Sequence, residues 1–226
     1  MNSESIADSA YRLNREIWKY RQTLWNGNPP ENPLEMLDQA IAAYVLGLQY
    51  EEADSLGRFG NGRERFEVAG LLERNDRIVR VSTRFSEVEQ RFTAAHEFGH
   101  FELHPQAVAH RDRPLSGLSS KPRSRPRIEA EADYFSACFW MPPNLLKSQF
   151  EARFTTSPLP INDAVAIHLC PADPGSLLGT NAAKEITMTL ANCQRFNGVA
   201  FPSLARTFRV SPSSMAIRLE ELGLVA

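Results

Sequence analysis

The chain has 226 residues, 42% of them apolar, and its 25 basic and 27 acidic side chains leave a formal net charge of −2. That length supports a sizeable buried core, and that balance argues against wholesale disorder and gives no global electrostatic case for nucleic acid or anionic membrane. The longest apolar run, Ala40 to Leu48, is too short to span a bilayer, and Cys138, Cys170 and Cys193 are too few and scattered for a disulfide framework or a Cys-rich zinc finger. The opening MNSESIADSA is acidic and lacks the apolar stretch of a secretory signal, so a cytoplasmic location with reduced thiols is expected.

In chain order, residues 4–26 carry Ile6, Ala10, Leu13, Ile17, Tyr20 and Leu24 at helical spacing, and Asn26-Gly27-Asn28-Pro29-Pro30 stops them. Asn32 caps a second helix, with Pro33 in its first turn and Leu37, Ile41, Tyr44, Val45 and Leu48 on one face. Residues 55–63 form a turn-rich loop whose glycines run in the wrong order for a dinucleotide loop. Phe66–Leu72 and Arg77–Ser82 read as a hairpin, because Val79 and Val81 alternate with Arg80. A helix from about Glu87 to Leu103 follows. Residues 105–128 then form a loop with Arg111, Arg113, Lys121, Arg123, Arg125 and Arg127 set against a single Asp112. Ile128 to Met141 is helical and is ended by Pro142-Pro143. Residues 155–200 are rich in turn signals, with one helix near Ala182–Cys193, and Ser203–Ala226 reads as two helices around a tight turn.

The chemistry lies in Arg91-Phe92-Thr93-Ala94-Ala95-His96-Glu97-Phe98-Gly99-His100, which contains H-E-x-x-H within a helical pattern. Residues four apart project from one helix face, so His96 and His100 can grip one metal ion. Glu97 lies about 100° round the helix, beside the ion and not on it. Zinc held by three protein ligands keeps a position for water and lowers its pKa to roughly 7. A neighbouring carboxylate then takes the proton as water attacks a peptide carbonyl, and passes it to the leaving amine.

The third ligand comes from Glu129-Ala130-Glu131-Ala132-Asp133. Glu129 completes a His-His-Glu set, while Asp133, four residues on, accepts the N–H of a ligating histidine and fixes its orientation. Ala132, Ser136 and Gly99 are small enough to let the two helices approach. Two rivals for the third ligand are weighed. His104 continues the register of the first two histidines, but three successive turns of a straight helix cannot easily converge on one ion, so it is placed behind a ligand instead. Glu131 lies roughly 200° round its helix from Glu129, so only one of them faces the ion, and Asp133 decides for Glu129. Tyr134 and His104 are candidates for stabilising the oxyanion by proximity alone.

RFTAAHEFGH followed by EAEADYFSACFWMP resembles the ImmA/IrrE-type zinc metallopeptidases, in which a similar HExxH helix precedes E-x-x-A-[N/D]-x-F-A-A-x-L-L-M-P. The likeness covers about residues 34–143 and, less closely, 203–224. It implies an α+β, zincin-like, mainly helical metallopeptidase domain with a small sheet and C-terminal helix-turn-helix-like helices. It also implies a single zinc ion on His96, His100 and Glu129, and Glu97 as general base. The implied substrate is a protein, a helix-turn-helix transcriptional repressor. Ser136, Phe139-Trp140, the Arg-rich loop and the long stretch 155–200 depart from the family pattern without touching a proposed ligand. The expected organisation is an N-terminal helical segment (1–30), a metallopeptidase core (31–150) and a C-terminal helical region (151–226).

Three further expectations follow. Ile78–Ser82 is read either as an edge strand that pairs with an extended substrate or, with equal weight, as a strand that only supports the core. The basic loop is read first as a solvated, partly disordered loop, with recruitment of an acidic partner or a mobile cover over the cleft as the alternatives. The C-terminal helix over 211–224 offers only Arg218 against Glu220 and Glu221, which argues against DNA contact and for packing or substrate recognition. The competing reading of the whole chain is a non-enzymatic regulator, or a DNA-binding protein, whose zinc site is structural.

Overall fold

The computed structural model describes residues 2–60, 65–105, 110–111, 126–179 and 183–225. Most of the basic loop 105–128, and Gly62 of the glycine-rich turn, lie outside the described residues. The chain divides into two compact units, Met1–Trp140 and Met141–Ala226. The sequence reading sets its breaks at 30/31 and 150/151; the boundary seen here falls where Pro142-Pro143 ends a helix.

The first unit opens with α1 (Ser3–Lys19), capped by the Asn2 side chain, which accepts from the Ser5 N–H. Its buried stripe is Ile6, Ala10, Leu13 and Ile17. The continuous helix expected to residue 26 breaks at Tyr20, and a single turn, α2 (Arg21–Leu24), follows. The second expected helix also divides. Asn32 caps only a 3-10 turn, Pro33–Met36, and Asp38 then caps α3 (Gln39–Val45) by accepting the Ile41 N–H at 2.9 Å. Two N-capping side chains so close together mark two short elements in place of one long one.

A four-stranded sheet follows, built from β1 (Gln49–Ala53), β4 (Gly70–Glu73), β5 (Ile78–Ser82) and β6 (His110–Arg111) in the order β1-β5-β4-β6. The short β2 (Arg58–Phe59) and β3 (Phe66–Glu67) pair separately. The expected hairpin is β4–β5, antiparallel with Gly70 opposite Val81 and Glu73 opposite Ile78. However, β5 also pairs in parallel with β1, from Gln49 opposite Ile78 to Ala53 opposite Ser82. Ile78–Ser82 is therefore an interior strand. Both its hydrogen-bonding sides are taken, so the expected substrate pairing along it is corrected. The alternation in β5 has a clear origin. Val79 and Val81 are fully buried, whereas Arg80 bridges Glu51 of β1 (2.6 Å) and Glu73 of β4 across the opposite face.

Against this sheet packs α4 (Glu87–Leu103), and against α4 packs α5 (Arg127–Trp140), which is backed in turn by α1. Arg91 and Trp140 lock the two central helices together. The guanidinium stacks on the indole at 3.8 Å, and the indole N–H donates to the Arg91 carbonyl at 2.9 Å. Burial pushes the Arg91 pKa down to about 10, so it stays cationic at neutral pH.

The second unit comprises α6 (Pro143–Phe154), α7 (Asp163–Leu169), a 3-10 turn at Pro174–Leu177 and α8 (Ala183–Asn192). The hairpin β7 (Arg195–Phe196) and β8 (Val199–Ala200) and the helices α9 (Leu204–Phe208) and α10 (Pro212–Glu221) complete it. The hairpin turns on Asn197 and Gly198, both at positive φ, as a two-residue loop requires. Ser211 caps α10 by accepting the Ser214 N–H at 3.1 Å, and Met215 and Leu219 face inward. The expected helix pair is present, and the protein as a whole is mainly helical with small sheets. Among the described residues no helix is long and apolar enough to cross a membrane.

Candidate metal centre

Local sequence explains why α4 begins and ends where it does. Ser86 and Glu89 form a reciprocal capping box at its start, and Glu87 and Glu89 place negative charge at the positive end of the helix dipole. At the other end Arg74, from the β4–β5 turn, donates to the carbonyls of His100 (2.7 Å), Phe101 (3.1 Å) and His104 (3.1 Å). The His100 carbonyl also accepts the His104 N–H at 3.1 Å, so Arg74 adds a second donor there and reaches two carbonyls beyond it at the helix end. Sequence reasoning missed Arg74, because a single basic residue in a turn carries no sign of the helix it reaches. His104 is the C-terminal cap, with φ −125° and ψ 65°.

The second half of α4 lies against α5 with almost nothing between the backbones. A Cβ on Gly99 would sit 3.1 Å from the Ala132 Cα and 3.2 Å from the Ala132 carbonyl oxygen. Glycine at 99 and alanine at 132 thus set the separation of the two helices, and that separation brings their polar side chains together. His96, Glu97 and His100 are completely buried.

Three donors converge. The Nε2 atoms of His96 and His100 are 2.9 Å apart, and the Glu129 carboxylate oxygens lie 3.4 Å from the first and 3.5 Å from the second. Tetrahedral zinc with bonds of about 2.0–2.1 Å needs donors roughly 3.3–3.4 Å apart, which the two carboxylate–imidazole separations match and the shorter Nε2–Nε2 separation approaches from below. Two nitrogens and a carboxylate oxygen are also donors that zinc accepts. Three ligands leave one position open, and the Glu129 side chain, 20% exposed, sits at the accessible side of the cluster. Among the described residues this is the one group of three such side chains whose donor atoms are close enough to share an ion.

The remaining nitrogens of both histidines are engaged. His96 Nδ1 is 2.9 Å from Asp133 Oδ1, and His100 Nδ1 is 3.0 Å from His104 Nδ1. Beyond it, His104 Nε2 is 3.0 Å from Glu131 Oε2. Asp133 and His104 therefore stand where the sequence reading put them, each behind a histidine. Glu131, a rival ligand on sequence, faces His104 and not the three-donor cluster. With both its ring nitrogens occupied, His104 is not free to stabilise an oxyanion. Tyr134 is half-buried on α5. Glu97 stays out of the cluster and lies against β4, where a Cβ on Gly70 would fall 2.8 Å from its Oε1.

This geometry has a counterpart among known proteins. A family model described as Peptidase_M78, IrrE N-terminal-like domain, matches residues 52–162, a stretch that holds His96, Glu97, His100, Glu129 and Asp133. Residues 52–162 thus form an IrrE N-terminal-like domain. The IrrE N-terminal-like match runs from the end of β1 past α6; residues 34–51 and 203–224, where the sequence likeness was also drawn, lie outside it. No curated protein matches the chain. The family's peptidase designation and the His-His-Glu cluster together suggest a metallopeptidase.

Proposed function

We propose that this protein is a zinc-dependent endopeptidase that cuts a peptide bond in a protein partner, a helix-turn-helix transcriptional repressor, in the cytoplasm. The observation that supports the chemistry best is the convergence of His96, His100 and Glu129, with Glu97 buried one residue from a ligand yet outside the donor cluster. When bound, zinc supplies a Lewis acid and brings the pKa of water down to roughly 7.

The side chains carry the rest of the reaction. Glu97 accepts a proton from the attacking water while its oxygen bonds to the scissile carbonyl carbon. The carboxyl group of Glu97 then returns the proton to the amide nitrogen as the C–N bond breaks, so one water is consumed and an acid and an amine are released. Asp133 holds the His96 ring through Nδ1, and Gly70 gives the Glu97 carboxylate room beside β4. The repressor as substrate follows from the resemblance to ImmA/IrrE-type enzymes; α10 offers no reason to assign the chain a DNA role of its own.

The test is Glu97→Gln, which keeps size and hydrogen-bonding shape but removes the base. The substrate is a purified helix-turn-helix repressor, chosen from a neighbouring gene where one is found, with fragments resolved by mass spectrometry. The expected result is a rate loss of about 10²–10⁴-fold with zinc content unchanged. Equal cleavage by both proteins would remove Glu97 as the general base, and cleavage by neither would favour a regulator whose metal is structural.

A further inference from the structure

We propose that Glu131 and His104 form a relay that fixes which nitrogen of His100 carries its proton, and thereby sets how tightly the centre holds zinc. The relay rests on the zinc reading above and gives a function to two side chains outside the ligand set.

A neutral imidazole has one N–H and one lone pair, and only the lone pair can ligate a metal. For His100 to present Nε2 to the cluster, its hydrogen must sit on Nδ1. That hydrogen has to go to His104 Nδ1, 3.0 Å away, which must then be the acceptor. His104 accepts on Nδ1 only when its own hydrogen is on Nε2. Nε2 faces Glu131 Oε2 at 3.0 Å, and an ionised carboxylate can only accept. The carboxylate at the far end therefore dictates both tautomers, through two hydrogen bonds, and leaves the His100 lone pair directed at the ion.

Two further features hold the relay in place. His104 is where α4 stops; its non-helical backbone is fixed by Arg74 through the carbonyl bond at 3.1 Å, and its ring is turned back toward His100. The other oxygen of Glu131 accepts from Arg127 Nε at 3.0 Å, which orients the carboxylate toward His104. The arrangement also gives α5 a consistent logic. Asp133 fixes His96 directly, Glu131 fixes His100 through His104, and Glu129 reaches both histidines itself. Outer partners of this kind typically govern metal affinity by about 10- to 100-fold.

Zinc affinity of the full-length protein, measured by competition with a chromophoric chelator at neutral pH, tests the relay. His104→Leu removes the acceptor at similar volume and should bind zinc about 10- to 100-fold more weakly. His104→Gln keeps an amide oxygen that can accept from His100 Nδ1 and should fall between Leu and the wild type. Glu131→Gln should also weaken binding, because an amide can donate to His104 and so admit the wrong tautomer. Combined with His104→Leu it should add no further loss, since Glu131 acts on the ion only through His104. Thermal melts of the metal-free proteins supply the control. A purely structural ring would make affinity follow stability, with apolar Leu at least as good as Gln. Zinc bound by His104→Leu as tightly as by wild type, or losses that add in the double variant, would overturn the relay. Should His104→Leu fail to fold, undiminished affinity in Glu131→Gln overturns it alone. Wild-type protein that takes up no zinc would instead defeat the metal reading beneath it.

Discussion

Two helix pairs in this chain have opposite interiors. Where α4 meets α5, the buried surface includes His96, Glu97, His100 and Ser136. In α9 and α10 it is Leu204, Ala205, Phe208, Met215, Ala216 and Leu219, an ordinary apolar stripe. The one charged exception, Arg218, is 1% exposed and spent locally, donating to the Met141 carbonyl at 3.3 Å and to Glu221 at 2.7 Å. Burying ionisable groups without specific partners costs several kcal/mol, so a fold keeps them only where they are matched by something of equal specificity. The first pair is thus organised around chemistry and the second around packing.

The strongest way to break this contrast is to remove the carboxylate that makes the first pair different. Glu129→Ala deletes one of three donors and should lower zinc affinity by more than about 100-fold, beyond the effect expected of any outer partner. Metal content after dialysis and circular dichroism of the same sample would check it. A folded variant that retains stoichiometric zinc would mean that Glu129 is not a ligand.

Next in size is the spacing of the pair. Gly99→Val places a branched side chain where even a Cβ would meet the Ala132 backbone at 3.1 Å. Backbone cannot rotate away as a flexible side chain can, so the helices must separate. A cost of about 3 kcal/mol is expected, read as a lower midpoint in urea unfolding. Zinc affinity should fall with it, because Glu129 moves away with α5. Unchanged affinity at reduced stability would show that the donors tolerate a wider gap than their present distances suggest.

Much of the first pair was legible in the sequence because its signals are local. Four-residue spacing of His96 with His100, and of Glu129 with Asp133, is set by helix geometry alone, and small residues at 99, 132 and 136 marked the contact. What escaped depended on distant partners. β1 reads Gln-Tyr-Glu-Glu-Ala, with none of the apolar alternation of a strand, because Glu51 faces Arg80 of β5 across a solvated face. Without β1, the interior strand β5 looked like an edge. Asp38 was overlooked as a cap because a single apolar period spans residues 37–48, so the break in the helix left no trace in hydrophobicity. Glu131 could be weighed only as a ligand, since its actual neighbour, His104, lies 27 positions away.

The smallest effect concerns the second pair. The outward residues of α10 are Pro212, Ser213, Ile217, Glu220 and Glu221, and the single cation of the helix is buried. Affinity for a DNA duplex is dominated by cations meeting phosphates, so a helix without an exposed base has little to contribute. Ile217, 67% exposed, is the central outward position. Ile217→Glu should change stability by no more than about 0.5 kcal/mol, as expected of a surface site outside any network. If α10 entered a groove, the added carboxylate would face phosphates and weaken binding steeply at low salt. Fluorescence anisotropy with a generic duplex over a salt series should instead give the same curve for both proteins. A salt-dependent loss confined to the variant would show that α10 meets DNA after all, and the two helix pairs would then differ in ligand, not in whether they have one.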